Sequence, residues 1–448
     1  MLLLALNATL KFAWLGIDEL SGDEPFTVYW SQRPLGELFL MLRSENNPPL
    51  YFLLIHAWSP LCGSLDPACL RIPSALFSVL TVWPLFLLVR HLSGRYAAIV
   101  GSLLFTLNNH QYLYAHEVRG YALLLLLTVT AAWWMLRPEP RLPRIRVAVL
   151  AVILTGLVYT HFFGWLVIAL FGAFTMLLPE WRVARKPWII ALATATVLHL
   201  PYAWIFWERA SSTLSNGTWL SPRRAEEMWH MVRRWSNEPV VALMLLLPIT
   251  VVGWRVRFCH AALRTGLCWL AGPVVGLWVV QLFVPMYVDR YLLFASPGLY
   301  LLAGHALTNL IHTERWRWFA PAVALFAMAF TFTPWKGHER HPSQVVRAVA
   351  TWSGQGCPVY LFPHYYDLTF GYHLDRALLH ASAPMGECLR SRGIYPINAQ
   401  DTVRLEQSAV LVRAGGWWPD VLTTLRNSAS TVDSVLADKD VWVYRFQR

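Results

Sequence analysis

Apolar runs long enough to cross a bilayer recur along this chain, separated by short polar stretches. A helical crossing needs about 20 residues. On that measure the pattern predicts spans near 1–16, 72–89, 96–110, 121–136, 147–160, 162–178, 188–206, 240–254, 266–284, 291–309 and 319–334. The stretch 147–178 reads as two helices broken near YTHFFG in preference to one long tilted helix. PLYFLLIHAW, residues 49–58, is too short to span and reads as a helix lying in the interface. The first run, MLLLALNATLKFAWLG, is barely long enough and lacks a basic leader. It fits a start lying a few residues upstream better than a cleaved signal peptide. After TFTPWKGHERHP the pattern changes. Residues 358–362, 409–414 and 440–446 read as short buried strands, and 343–353 and 419–428 as helices. The expected architecture is therefore an all-α polytopic membrane domain over 1–334, with about eleven transmembrane helices, followed by a small α/β domain over 335–448.

Composition supports the membrane reading. Of the 448 residues 56% are hydrophobic and only 14% charged, too few to coat a water-exposed surface. The 24 tryptophans suit a membrane interface, where an apolar ring with one polar edge is at home. The net charge of +11 follows from the positive-inside rule without any ligand. There is no zinc-ligand spacing, no phosphate-binding glycine loop and no clustered basic tail, so nucleic acid is not an expected partner.

The charges alternate from loop to loop. One set holds Arg90, Arg95, Arg137, Arg141, Arg144, Arg146, Arg182, Arg185, Lys186, Arg255, Arg257, Arg264, Arg315 and Arg317. The other holds Asp18, Glu19, Asp23, Glu24, Glu37, Glu45, Glu117, Glu208, Glu226, Glu227 and Asp289. The loop 207–239 mixes both signs. The consistent orientation has a cytoplasmic N-terminus, with the acidic loops and the tail outside, across what is expected to be a bacterial inner membrane. Cys62 and Cys69, and Cys357 and Cys388, then sit in pairs in an oxidising compartment, where disulfides are expected beside the alternative of buried thiols. Cys259 and Cys268 read as packing residues.

The candidate chemistry lies in the outer loops. SGDEPFTVYW places Asp23 beside Glu24. ENNPPL fixes Glu45, Asn46 and Asn47 ahead of two prolines, which bias the residue before them toward extended backbone. HEVRGY offers Glu117, Arg119 and Tyr121 at i, i+2, i+4, a spacing that suits a turn. YTHFFG carries His161, and VDRYLLFASPG carries Asp289 and Arg290. Each also has a simpler reading. Asp23 and Glu24 fit a helix cap and first-turn acid, Glu117 and Arg119 a local ion pair, and Arg290 a snorkelling side chain.

GDEPFT, NNPPLYFLLIHAW, LRIPSALFSVLTV, HEVRGYALL, YTHFFG and DRYLLFASPGLYLL occur in that order over roughly the first 310 residues. As an ordered set they resemble the GT-C superfamily of membrane glycosyltransferases. The similarity is to bacterial protein-O-mannosyltransferase-like enzymes (glycosyltransferase family 39-like) and lipid A aminoarabinose transferases. The resemblance implies transfer of a sugar from a polyprenyl-phosphate donor to a glycan, lipid or protein acceptor on the extracytoplasmic face, with membrane lipid as the surrounding partner. It implies Asp23 as general base, with Glu24 and Glu117 as further catalytic acids. Arg119 and Arg290 would bind the donor phosphate, and Glu45, Asn46, Asn47, Tyr121 and His161 the substrates. No cofactor is required by the residues; a divalent metal at Glu117 is an open possibility. Asn47 stands where relatives often carry histidine, which weakens an imidazole or metal role there. Two other classes compete. A transporter or flippase would place ionisable groups near the bilayer midplane, often in inverted repeats; these spans hold almost no such groups, and no repeat is found. A non-catalytic scaffold would have no need of the acidic pair.

Overall fold

Backbone amides and carbonyls have no water to bond in hydrocarbon, so the apolar runs must close their hydrogen bonds internally as helices. The computed structural model shows this in every expected run. It describes residues 1–448 except 138–142, 219, 258, 355–356, 399, 402, 404, 406–407 and 416–419, so Arg141 lies outside the described residues. Among the described residues, Pro67–Ser93, Pro179–Ser215 and Ala261–Val280 are long and apolar enough to cross a bilayer. Glu226–Arg234 and Pro239–Arg255 form a further candidate span if taken as one element across their 94° bend. Other expected runs fold as shorter apolar helices, among them Leu2–Phe12, Arg95–Thr106, Tyr121–Leu136, Gly164–Leu177 and Phe319–Phe330. Helix ends explain the shortfall. The run expected over 96–110 stops at Thr106 because Asn108 accepts the Gln111 amide (3.0 Å) and starts a new helix, Asn109–Ala115. The run expected over 291–309 opens as a 3-10 turn, Asp289–Ala295, before the helix Ser296–Asn309.

The break at YTHFFG is present, with helices Pro143–Thr160 and Gly164–Leu177 either side of it. Gly164 permits it: a Cβ there would collide with the Leu157 carbonyl. Gly101 and Gly304 set another close approach, between Arg95–Thr106 and Ser296–Asn309. A Cβ on Gly101 would lie 2.7 Å from the Tyr300 carbonyl oxygen, the tight small-residue contact that suits helix association in lipid.

The chain divides into two compact units. The first comprises Met1–Trp14, Phe39–Leu53 and Arg71–Pro334. The second joins the tail, Trp335–Arg448, to two pieces of the stretch between the first two apolar runs, Leu15–Leu38 and Leu54–Leu70. Its sheet has five strands: β1 (Val359–Phe362), β2 (Ile394–Pro396), β3 (Ser408–Ala414), β4 (Thr431–Asp438) and β5 (Val441–Gln447). The order is β2-β1-β3-β5-β4, with β1 parallel to both neighbours and the β3–β5 and β5–β4 pairs antiparallel. The three strands expected from sequence are β1, β3 and β5. β2 has only three residues, and β4 is an almost wholly exposed edge whose Thr431, Asp433 and Ser434 break any apolar run. The helix expected at 343–353 is Pro342–Trp352; that at 419–428 is Asp420–Ser428, with Pro419 outside the described residues. Cys62 and Cys69 form a disulfide. Cys357 and Cys388 do not: Cys357 Sγ sits 3.5 Å from Ser408 Oγ and Cys388 Sγ 3.7 Å from the Ala383 carbonyl, each packed locally.

Candidate active site

In the first unit the site grows from the turn 116–120. The helix Asn109–Ala115 ends, residues 117–119 bend, and the helix Tyr121–Leu136 begins. The bend is tight, with the Arg119 amide bonding the Glu117 carbonyl (2.8 Å). Ser74 Oγ donates to the Arg119 carbonyl (3.4 Å) and lies 2.6 Å from the Tyr51 hydroxyl. The buried Arg119 side chain is aimed by Asn47, whose Oδ1 accepts from Nη2 (3.1 Å). Asn47 is thereby an orienting partner of an arginine, a job its amide oxygen does without any imidazole. In the same bend Glu45 is half-buried and Asn46 exposed.

His161, in the break between its two helices, faces this arginine. Its Nδ1 accepts the Phe163 amide (3.1 Å), which leaves the proton of the neutral ring on Nε2. Tyr121 and Tyr291 stand 5.9 and 5.3 Å from the imidazole, centroid to centroid, and Arg290 lies over Tyr291 (5.5 Å). Burial, and then the charges of Arg119 and Arg290, push the His161 imidazole down to about 3. Burial also holds the Tyr114 phenol well above its ordinary value, with Asp289 and Glu117 adding to the effect and Arg290 opposing it. Arg119, Tyr121, His161 and Arg290 thus gather with Asn47 in one place, with Glu117 at its edge.

The His161 shift has a measurable consequence. The unfolded chain takes up a proton near 6.5 and the folded one only near 3, so between those values the unfolded state binds more protons. Folded stability is therefore lost as pH falls from about 6.5 toward 3. His161→Gln is expected to flatten the fall in melting temperature over that window. It should leave the limbs of the activity profile between pH 6 and 8 unmoved, because the imidazole is already neutral there. Thermal melts and rates of the detergent-solubilised protein across pH 4–8 check both.

Sequence reading missed Tyr51, Ser74 and Tyr291, which carry no charge, and the anchoring of Arg290. Asp289 Oδ1 accepts the Arg290 amide (2.9 Å), while Oδ2 faces His110 Nε2 (3.4 Å) and Arg234 Nε (3.7 Å). Burial alone would raise this carboxyl; the His110 bond and the charges of His110 and Arg234 outweigh it and hold Asp289 well below the usual range. Among the described residues, no three His, Cys, Asp or Glu side chains come together as a metal-holding group.

In the second unit, Asp23 stands at the N-cap position of the helix Glu24–Gln32, yet its side chain makes no capping bond. The two acids are not equivalent. Glu24 is buried and its carboxylate accepts the Ser21 amide (3.2 Å), closing the entry to the helix. Asp23 is only half-buried, and the helix does not use its carboxylate as a cap. Asp23 thus holds the N-cap position without a side-chain capping bond, while Glu24 bonds the backbone just before the helix.

No protein-family model matches the chain. Solved structures share its fold. ArnT from Cupriavidus metallidurans, solved in the apo state and bound to undecaprenyl phosphate, aligns with a TM-score of 0.62 at 15% identity, over 99% of this chain and 97% of that one. The oligosaccharyltransferase of Archaeoglobus fulgidus, in complex with Zn and sulfate, aligns with a TM-score of 0.53 at 12% identity, over 83% of this chain and 61% of that one. The same archaeal enzyme, AglB, in complex with an inhibitory peptide and a dolichol-phosphate, aligns with a TM-score of 0.53 at 9% identity, over 91% and 69%. Both are GT-C membrane glycosyltransferases, and it is their fold that this chain shares.

Proposed function

We propose that this protein is an integral membrane glycosyltransferase that moves a sugar from a polyprenyl-phosphate carrier to an acceptor hydroxyl, on the extracytoplasmic face and with inversion. The observation that carries this is the gathering of Arg119 and Arg290 about a buried, uncharged His161 whose ring lies beside Tyr121 and Tyr291. Two guanidinium groups at a buried, polar-lined place suit a phosphate, which each can meet with paired N–H donors. The fold adds support, since ArnT was solved with undecaprenyl phosphate bound.

In this reading the acceptor hydroxyl gives its proton to the Asp23 carboxylate as its oxygen forms a bond to the anomeric carbon. The bond from that carbon to the phosphate oxygen breaks, and its electron pair leaves with the polyprenyl phosphate. One displacement inverts the anomeric centre. Positive charge on the sugar in the transition state favours a nearby carboxylate, as in glycoside hydrolysis. Arg119 and Arg290 compensate the charge growing on the leaving phosphate. His161, neutral and protonated on Nε2, supplies a hydrogen-bond donor without adding a third cation. Glu117 orients the acceptor, and Glu45 and Asn46 border the sugar. The sugar is a hexose or pentose, and the outer loops face the periplasm of a bacterial cell, a reading supported by the alternation of basic and acidic loops.

Incubating the purified protein with a panel of polyprenyl-phosphate sugars and candidate glycan, lipid and peptide acceptors tests this. Mass spectrometry is expected to show one sugar transferred and free polyprenyl phosphate released. Solute or lipid movement without any transfer product would overturn it in favour of transport.

A further inference from the structure

We propose that the outer α/β unit is the mount of the catalytic acid, and that Arg33 is its main positioning residue. This rests on the reading of Asp23 as general base. Asp23 opens a helix of nine residues, Glu24–Gln32, too short to be stable by itself in water. Its shape and aim must come from tertiary contacts, and these reach it at both ends from the tail of the chain.

At the entry, residues 18–21 are strapped down. Asp18 Oδ1 accepts the His338 amide (3.0 Å). The Glu19 carboxylate takes the Ser343 amide (2.8 Å) and hydroxyl (2.5 Å), capping the first turn of Pro342–Trp352. His373 Nε2 bonds the Leu20 carbonyl (2.8 Å), with its Nδ1 3.6 Å from Glu19. His338 Nε2 lies 3.3 Å from Ser21 Oγ and 3.2 Å from the Glu19 carbonyl. Gly337 allows the approach: it sits at φ +63°, and an added Cβ would strike the Asp18 carboxylate.

At the exit, Arg33 is buried to 6% exposure and spends its fork on backbone. Nη1 donates to the carbonyls of Ala381 (2.7 Å) and Ser382 (3.3 Å), and Nη2 to that of Ala383 (2.9 Å) and to the Tyr29 hydroxyl. The Tyr29 hydroxyl in turn accepts the Met385 amide (3.2 Å), and the guanidinium lies 4.6 Å from the Tyr29 ring centre. Glu37, exposed, offers a weak counter-charge at 3.9 Å. Each carbonyl would be a poorer partner for lysine, whose compact ammonium cannot span three of them. The sequence positions bridged lie about 350 residues apart, so the tail is needed wherever the acid is needed. A base must sit within about 2.6–3.2 Å of its proton, and a misplacement of about 1 Å costs on the order of 10²-fold in rate. A mount of this kind answers that tolerance.

The test uses the full chain in detergent with a competent donor and acceptor. Arg33→Ala is expected to lower kcat by about 10²-fold, with the KM for the lipid-phosphate donor unchanged because its arginines belong to the other unit. Arg33→Lys should recover only part of the loss, and Tyr29→Phe, which keeps the ring but removes the bridging hydroxyl, should lower kcat by a smaller factor. Hydrogen exchange in the peptide spanning 21–32 should rise in each variant. If Arg33→Ala does not give a monodisperse protein, the lysine and phenylalanine variants decide. The proposal is overturned if Asp23→Asn is inactive while all Arg33 and Tyr29 variants keep kcat within about threefold, or if the loss is entirely in donor KM. Retained turnover by Asp23→Asn is a different result: it removes the base itself.

Discussion

Asp23→Asn is expected to lower kcat by about 10²- to 10⁴-fold, the contribution of a well-placed general base, with little change in melting temperature. Asparagine keeps the size and one oxygen but accepts no proton. The stability half of the prediction follows from the geometry. Asp23 makes no capping bond to its helix, and asparagine is as good a residue at that position. The neighbouring acid supplies the control. Glu24 is buried against the Ser21 amide, and Glu24→Gln preserves an oxygen acceptor there. It should cost about 1 kcal/mol of stability and only a modest factor in rate. Steady-state rates and thermal melts of both variants separate a chemical role from a structural one. Equal losses of rate in the two, or turnover by Asp23→Asn near that of the parent, would remove Asp23 as base.

Much of the membrane unit was legible because hydrocarbon imposes a coarse rule on long stretches. YTHFFG announced its break through polar residues and a glycine inside an apolar run, and the glycine proves to be sterically required. The helix ends were less legible. Asn108 reads as a loop residue until its side chain is seen to accept from Gln111, and this one bond shortens one helix and starts another. Asn47, Arg119, Tyr121, His161 and Arg290 were each visible as polar groups at the mouths of spans. Their mutual arrangement was not, since it depends on contacts such as His161 with Tyr291, over a hundred positions apart. Cys357 and Cys388 show the limit of pairing by compartment: two cysteines in one small domain need not bring their Cβ atoms face to face. Arg33 shows it most clearly. Its partners are backbone carbonyls, which leave no motif, and in sequence it is one more arginine in a polar loop.

Removing Arg119 or Arg290, the arginines proposed to hold the phosphate, should act on the donor and not on the base. Losing one charge-assisted hydrogen bond to an anion costs about 1.5–3 kcal/mol, so Arg119→Ala and Arg290→Ala are each expected to weaken binding of the polyprenyl-phosphate donor by about 10- to 10²-fold. Lysine should restore little at Arg119, where the fork is held from one side by Asn47 and needed on the other. Asn47→Ala releases Nη2 and should weaken donor binding by a smaller factor, and that factor should vanish in the Arg119→Ala background. A double-mutant cycle reads this coupling directly. Arg290 is aimed differently, through its own amide on Asp289, so its effect should add to that of Asn47 instead of absorbing it. Equilibrium binding of a fluorescent polyprenyl phosphate to the six variants, at one fixed ionic strength because the interaction is screened by salt, distinguishes the cases. Donor affinity unaltered by Arg119→Ala would exclude that residue from the phosphate. Full additivity of Asn47→Ala with Arg119→Ala would show that the amide does not act through the guanidinium.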